Sequence, residues 1–219
     1  MQHPLRVGTR GWRHKAWQGT FYDVNLPQEW QLSWYANHLR SVWVPADRLH
    51  AISLDEIAVW IEDTDPDFRF IVEIESASAY PETDAKHVSS AKAVAKAFGD
   101  QLDAFVVDVK VDPIAEKTFL EQVRSEISGV PVCLRGCPAQ ALPAGFGGCF
   151  DSCEDAASAD SPYTIVCHTD GDLVGVRTVI ETMQQLNTDS GALIFTDPER
   201  AFDHAVKARK QHGVFIAES

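Results

Sequence analysis

Short apolar segments alternate with amphipathic segments along the whole chain. Eight of the apolar segments have the length and the β-branched content of buried strands. In chain order they are LRVGT, SVWVPA, FRFIVEIES, DAFVVDVKV, VPVCLRG, FGGCFDS, YTIVCHT and GALIFTD. Most of the intervening segments repeat apolar residues at helical spacing, for example Val88, Ala91, Ala95 and Phe98. The pattern predicts strands that alternate with helices, so the predicted fold class is α/β.

The number of strands and the length of their connections narrow the architecture. Eight strands alternating with helices favour a closed, TIM-like (β/α)8 barrel, and a doubly wound open sheet is the main alternative. Few residues separate VCLRG from GGCFDS, and the next connection, EDAASADSP, is nearly as short. We therefore expect helices 5 and 6 of the barrel to be missing or reduced to single turns. No linker divides residues 1–219, which predicts a single domain.

Composition and charge narrow the class of protein further. The chain has 219 residues and is 45% hydrophobic, enough for one sizeable core. It has no apolar run long enough for a membrane span, and its start, MQHPLRVG, lacks the apolar stretch of a signal peptide. Together with five cysteines, this predicts a cytoplasmic protein with reduced thiols. The formal net charge of -13 makes the protein acidic, so we do not expect nucleic-acid binding.

An aromatic and cationic loop follows the first strand. The stretch TRGWRHKAWQGTFY, residues 9–22, contains Trp12 and Trp17 together with the strongest local cluster of basic residues. Loops that leave a strand and lead into a helix are common ligand sites in α/β proteins. An apolar platform surrounded by cations suits a planar or anionic ligand. In the alternative interpretation, the two tryptophans cap the barrel as part of its core.

The same stretch resembles the start of the YecE-like family, domain of unknown function 72 (DUF72). VGTRGW and WQGTFY, followed by LP and WYANHL, match in order and spacing the family's two glycine- and tryptophan-containing runs. Fainter similarity continues in WIEDTDPDFRFIVEI and IFTDPERAFDHAVKA. The family fold is a TIM barrel, so the resemblance implies that fold here. Because the family's activity is not established, the resemblance implies no reaction.

Several polar positions of the family pattern have changed type in this chain. Trp43 stands where the family has a glutamate, and Glu73 stands where it has a lysine. Arg135 matches an arginine of the family's fifth strand, Cys133 replaces the acid beside it, and His168 matches a later histidine. A tryptophan cannot take over the proton transfer of a carboxylic acid. The departures therefore favour a divergent relative, either a binding protein or a degenerate enzyme.

Residues at the carboxyl ends of the strands face the ligand in a parallel barrel. The polar residues at these positions are Thr9, Arg10, Asp47, Glu73, Glu75, Asp108, Arg135, Asp151, His168, Asp170 and Asp197. Guanidinium groups suit phosphate and carboxylate ligands, whereas internal ion pairs with the acidic residues are the structural alternative. Our first hypothesis is a site for a small anionic or aromatic ligand. Its candidate residues are Thr9, Arg10, Trp12, Trp17, Arg135 and His168.

Two other functions are consistent with the same sequence. Carboxylates and an imidazole at a barrel mouth can bind a divalent metal. The second hypothesis is therefore a metal-dependent hydrolase of a phosphate-containing substrate, nucleic acid included, with Glu75, Asp108, His168 and Asp197 as metal ligands. The third is a scaffold that binds a partner protein through exposed tryptophans. The sequence contains no GxSxG, HExxH, Walker or dinucleotide-binding motif, so we expect no cofactor.

Four cysteines form two pairs of equal spacing, Cys133 with Cys137 and Cys149 with Cys153. If the fifth and sixth strands lie side by side in similar register, Cys133 lies near Cys149 and Cys137 lies near Cys153. Four converging sulfurs can hold zinc or an iron–sulfur cluster, and a Cys137–Cys153 redox pair is a further alternative. Buried free cysteine is common in protein cores. Our expectation is therefore five free thiols without metal.

Overall fold

Eight parallel strands form a closed barrel in the computed structural model, which describes residues 4–76, 81–109, 113–127, 129–169 and 173–217. Each strand pairs with the next in chain order, and β8 pairs with β1. The strands are β1 Leu5–Arg10, β2 Ser41–Val44, β3 Arg69–Ile74, β4 Leu102–Asp108, β5 Val132–Arg135, β6 Gly147–Phe150, β7 Ser161–His168 and β8 Thr188–Phe195. The predicted closed barrel is confirmed, and the doubly wound open sheet is wrong.

The α-helices of the described residues lie between the strands and after β8. They are α1 Gln31–Ala36, α2 Ala46–His50, α3 Leu54–Glu62, α4 Pro81–Phe98, α5 Pro113–Glu126, α6 Cys153–Ala156, α7 Leu173–Met183 and α8 Ala201–Ala217. Helix α3 begins at the capping residue indicated by the sequence, because Ser53 Oγ accepts a hydrogen bond from the Glu56 backbone N–H at 3.2 Å. Helix α2 spans five residues, too few for its apolar spacing to predict it.

Two of the barrel's connections contain almost no helix. Between β5 and β6 the chain forms only a 3₁₀ turn at Ala139–Ala141. Between β6 and β7 it forms only the four-residue α6. The expectation that helices 5 and 6 would be missing or reduced is therefore confirmed. Its basis is length, since a full covering helix needs more residues than these connections contain.

The barrel interior is filled by alternate side chains of the strands. Successive strand residues face opposite sides, so one set packs against the helices and the other set fills the barrel. The buried interior set is Trp43, Ile71, Ala104, Val106, Cys133, Cys149, Tyr163, Ile165, Cys167, Ala192 and Ile194. Space inside is tight: a Cβ atom at Gly147 would lie 2.5 Å from Cys133 Sγ. Only glycine fits at that position.

Most aromatic rings of the loop after β1 belong to the outer core. Trp12 and Trp17 are 2% and 1% exposed. Trp12 packs edge-on against Trp60 of α3, with ring centroids 4.7 Å apart. Trp17 lies parallel to the Tyr35 ring of α1 at 6.4 Å and 5.9 Å from the Phe202 ring of α8. The loop thus joins three helices across the first strand.

Candidate functional site

The centre of the barrel mouth is filled by one tryptophan and three charged residues. Arg10, the last residue of β1, donates a hydrogen bond from Nη2 to Glu73 Oε2 at 2.8 Å. Trp43 Nε1 donates to the same carboxylate oxygen at 3.0 Å. The guanidinium carbons of Arg10 and Arg135 each lie 5.8 Å from the centroid of the Trp43 ring, within cation–π range. Glu73 therefore compensates the charge of Arg10 and orients the indole at once.

Two positions at which the sequence analysis expected a departure from the family pattern contact each other directly. The indole N–H of Trp43 donates a hydrogen bond to the Glu73 carboxylate. The buried indole fills the space that a polar ligand would need at the barrel axis. The open part of the mouth lies to one side.

That open part is a cavity of about 280 Å³ between the β1–α1 loop and the start of α2, which we call the arginine cavity. Its lining residues are Arg10, Gly11, Trp12, Arg13, His14, Pro45, Asp47 and Arg48. Gly11 has φ of +77°, a conformation that favours glycine, and it turns the chain away from β1 at this point. The turn places Trp12 on the core side and Arg13 and His14 beside the cavity.

Several nitrogen donors of the arginine cavity lack a hydrogen-bond partner. Among the described residues, the buried Nε atoms of Arg10, Arg13 and Arg48 have no partner, and neither does Trp12 Nε1. A buried donor without a partner costs about 1–3 kcal/mol, and more when it carries charge. Four such atoms lie on residues around this one cavity. An oxyanion supplies several acceptor oxygens together with the opposite charge.

The arginines of the cavity differ in how their charges are compensated. Arg48 donates from Nη2 to Glu56 Oε1 at 2.6 Å, whereas Arg13 forms no salt bridge with any residue that the structure describes. Burial, and then the nearby charge of Arg48, lower the pKa of the Arg13 guanidinium. An arginine nonetheless stays protonated in proteins. Asp47 lies on the exposed rim, where solvent screens its charge.

His14 adds a neutral imidazole to the cavity. Its Nε2 donates a hydrogen bond to the Arg10 carbonyl oxygen at 2.9 Å, which places the ring proton on that nitrogen. Burial lowers the pKa of His14 below its ordinary value of 6.5. The ring is therefore neutral at pH 7, with Nδ1 as an acceptor. It can receive a hydrogen bond from a hydroxyl group of a ligand.

The structure separates the ligand-site residues predicted from the sequence. Arg10 and Trp12 line the arginine cavity, and Arg135 lies across Trp43 from it. Thr9 is fully buried outside the barrel, where its Oγ1 is 3.0 Å from Tyr35 Oη. Trp17 lies in the core among other rings.

His168 ends β7, with its ring 5.7 Å from the Phe195 ring. Because Cys167 faces the interior, His168 faces the outer side of the barrel. Of the predicted set, only Arg10 and Trp12 therefore share the cavity.

The residues proposed as metal ligands have separate surroundings. Glu75 Oε2 is 2.8 Å from His87 Nε2, and Glu75 Oε1 is 3.6 Å from His50 Nδ1. Asp197 Oδ1 accepts the Glu199 backbone N–H before α8. Asp108 ends β4 opposite Arg135 in register. Among the described residues, no three His, Cys, Asp or Glu side chains are arranged to hold a metal ion. Asp170, also named at the mouth, lies outside the described residues.

The register of β5 and β6 corrects the expected pairing of cysteines. Cys133 pairs with Gly147, and Arg135 pairs with Cys149, so the strands are offset by two residues from the expected alignment. The reason is steric, since only glycine leaves room for the Cys133 sulfur. Cys149 Sγ instead lies 3.8 Å from Cys167 Sγ.

The other two cysteines of the proposed pairs have separate partners. Cys137 Sγ contacts the Pro138 carbonyl and Cys153 Sγ contacts the Val179 carbonyl. All five cysteines are free thiols in the structure. The proposed four-cysteine cluster and the Cys137–Cys153 pair are therefore not formed.

Arg48 is the residue of the cavity that the sequence did not indicate. It lies in the short α2, directly after the strand that ends at Val44. Its position at the carboxyl end of a barrel strand was the available signal. Arg13 and His14 belong to the basic cluster of the loop, but their spacing alone did not show that they meet Arg48.

A closed parallel barrel with a cavity beside the carboxyl ends of its strands defines a TIM-type barrel protein. The chain belongs to the DUF72 family, since the family model described as "Protein of unknown function DUF72" matches residues 6–132, more than half of the sequence. The resemblance seen in the opening loop is thereby confirmed. The matched region contains Arg10, Arg13, Trp43, Arg48 and Glu73.

The chain is also similar in fold to several solved structures. A DUF72 family protein from Thermotoga maritima MSB8 is similar with a TM-score of 0.70 at 14% identity, covering 96% of this chain and 100% of that one. A DUF72 family protein from Enterococcus faecalis V583 gives 0.65 at 14% identity, covering 96% and 98%. DHDPS from Cyanidioschyzon merolae gives 0.52 at 11% identity, covering 98% and 75%. At such low sequence identity, the structural similarity shows a shared fold and nothing more. No curated protein matches the chain.

Within the described residues, no helix is both long enough and apolar enough to cross a bilayer.

Proposed function

We propose that this DUF72 protein binds a small anionic ligand in the arginine cavity. The observation that carries the proposal is the set of four buried donors without partners, the Nε atoms of Arg10, Arg13 and Arg48 and Nε1 of Trp12. A polar site built without an occupant would lose the free energy of all of these hydrogen bonds. An oxyanion restores them, and its charge offsets that of Arg13.

The size and donors of the cavity define the class of ligand. A volume of about 280 Å³ lies at the small end of the range for ligand sites. Planar guanidinium groups match the oxygens of both phosphate and carboxylate. The buried faces of Trp12 and Trp17 leave no open platform for stacking, so the proposal is an anion rather than an aromatic ligand. Neutral His14 adds a place for one hydroxyl group of the ligand.

Calorimetric titration with inorganic phosphate and with acetate tests the proposal and separates the two oxyanion classes. The informative variant is Arg13→Gln, because Arg13 lines the cavity without a salt bridge to any described residue. A hydrogen bond to a charged group contributes about 1.5–3 kcal/mol, so we expect phosphate affinity to fall roughly 10- to 100-fold. The matched control is Arg177→Gln, an exposed arginine on α7.

Two results would overturn the proposal. One is the absence of binding for both anions at millimolar concentration. The other is an equal loss of affinity in Arg13→Gln and in Arg177→Gln, which would indicate attraction by general surface charge. Melting temperatures of both variants should stay within about 2 °C of the parent, since neither side chain belongs to the core.

The two alternative functions stay predictions. The hydrolase requires a metal site, and the described residues bring no such group together. The scaffold requires exposed tryptophans, and Trp30 and Trp34 are 62% and 40% exposed at the start of α1. Neither ring lines the arginine cavity. Replacing them with serine should leave anion binding unchanged.

A further inference from the structure

Two cysteine sulfurs meet inside the barrel, beside the mouth. Cys149 of β6 and Cys167 of β7 both face the interior, and their Sγ atoms are 3.8 Å apart. Cys149 pairs in register with Ile165, so Cys167 is the next interior residue of β7 toward the carboxyl end. The two sulfurs are in van der Waals contact. A disulfide bond of about 2.05 Å requires the two sulfurs to approach further.

The surroundings make the two thiols chemically different. Arg135 is the β5 residue paired with Cys149, and its guanidinium extends over the same end of the barrel. The hydrogen bond with Cys149 lowers the pKa of Cys167; burial opposes this, and the positive charges of Arg135 and Arg10 lower the pKa further. The same hydrogen bond raises the pKa of Cys149. Cys167 is thus the thiol that ionises first, and Cys149 is the neutral thiol beside it.

The remaining cysteines lack this arrangement. Burial raises the pKa of Cys153 to about 11, and it also raises that of Cys133. Cys137 Sγ has a backbone carbonyl as its neighbour rather than a second sulfur. Because thiolates are the reactive form of cysteine, chemistry at sulfur should concentrate on Cys167.

Access to the pair selects the type of oxidant. Cys167 is 5% exposed and Cys149 is 3% exposed. A bulky disulfide cannot reach sulfurs buried to this extent, whereas hydrogen peroxide is small and uncharged. The pair lies near the carboxyl ends of β6 and β7, the end of the barrel that forms its mouth.

We propose that Cys149 and Cys167 form a reversible redox pair that hydrogen peroxide oxidises to a disulfide. In the first step the Cys167 thiolate attacks one peroxide oxygen, the O–O bond breaks, and the released hydroxide takes a proton to form water. Cys167 is then a sulfenic acid. In the second step the Cys149 sulfur attacks the Cys167 sulfur, the S–O bond breaks, and hydroxide leaves with the Cys149 proton as water. Overall, two thiols are oxidised and one peroxide is reduced to two waters.

Neither cysteine lines the arginine cavity, although Arg10 lines that cavity and its charge also acts on Cys167. Oxidation would remove the Cys167 thiol that lies near the charge of Arg135. It would also join β6 and β7, next to the two connections that contain no full-length helix.

The test treats the reduced, full-length protein with hydrogen peroxide, then blocks the remaining thiols under denaturing conditions and measures the mass. The expected result is three blocked thiols instead of five, a peptide pair linked through Cys149 and Cys167, and recovery of all five thiols with dithiothreitol. In Cys149→Ser, we expect no disulfide and a dimedone-reactive sulfenic acid at Cys167. The matched control Cys153→Ser should form the disulfide at the parent rate.

A further variant tests the role of the guanidinium. Arg135→Gln should slow peroxide oxidation by on the order of tenfold, as expected for a smaller thiolate fraction, and Arg135→Lys should restore part of the rate. Five reactive thiols after treatment of the parent protein would overturn the proposal, whether or not the variants fold. So would a disulfide between other cysteines, or equal oxidation rates in the parent and Arg135→Gln.

Discussion

Replacing Trp17 with alanine separates the structural part of the opening loop from its binding part. Trp17 is 1% exposed and contacts five other rings, those of His14, Phe21, Tyr22, Tyr35 and Phe202. The substitution therefore opens a large cavity between β1, α1 and α8.

The expected cost follows from that burial. Tryptophan-to-alanine changes in cores cost about 3–5 kcal/mol, and lost aromatic pairs add to the cost. In a chain of this length, 1 kcal/mol lowers the melting temperature by roughly 2–4 °C. We therefore expect the melting temperature of Trp17→Ala to fall by roughly 6–20 °C.

Urea unfolding and phosphate titration of the same sample provide the assay. The free energy of unfolding should fall by the amount given above, and the phosphate affinity of the folded protein should change less than about twofold, because Trp17 does not line the arginine cavity. A loss of stability below about 1 kcal/mol would refute the assignment of Trp17 to the core. Loss of phosphate binding in a stable variant would return Trp17 to the ligand site.

Three further predictions concern charge. Glu73→Gln removes the partner of Arg10, so calorimetry should show phosphate affinity rising roughly two- to tenfold; an unchanged or weaker affinity would contradict this. Burial lowers the pKa of His14 below 6.5, so the unfolded chain binds a proton at this imidazole more readily than the folded protein does. The free energy of unfolding should therefore decrease as the pH is lowered below about 6.5. His14→Gln should therefore reduce the difference in unfolding free energy between pH 7.5 and 5.5 by up to about 1 kcal/mol, and an equal difference would refute the assignment. With a net charge of -13, the protein should show no fluorescence-anisotropy change with duplex DNA at physiological salt, and sub-micromolar binding would contradict this.

The sequence was sufficient for the fold because the fold depends on periodicity and length. Eight apolar segments alternating with amphipathic ones predicted the barrel, and two short connections predicted the loss of helices 5 and 6. The five-residue α2 was missed for the same reason, since it is too short to show a helical period. Its Arg48 was missed with it.

The site could be predicted only in part because it depends on register and on side-chain direction. Arg10 was identified from its place at the end of β1, but its bond to Glu73 depends on how β1, β2 and β3 are staggered. Thr9 was assigned to the mouth although it is adjacent to Arg10, and adjacent strand residues face opposite sides. The offset between β5 and β6 likewise changed the partner of Cys149 from Cys133 to Cys167.

The arginine side chains report directly on whether an anion occupies the cavity. In ¹H–¹⁵N spectra optimised for arginine Nε–H groups, addition of inorganic phosphate should shift the signals of Arg10, Arg13 and Arg48, whose Nε atoms lack partners in the structure. The signal of Arg177, whose Nε already bonds Glu181 at 2.8 Å, should stay in place. Unchanged signals for the three cavity arginines at saturating phosphate would contradict the account of this protein as an anion-binding barrel.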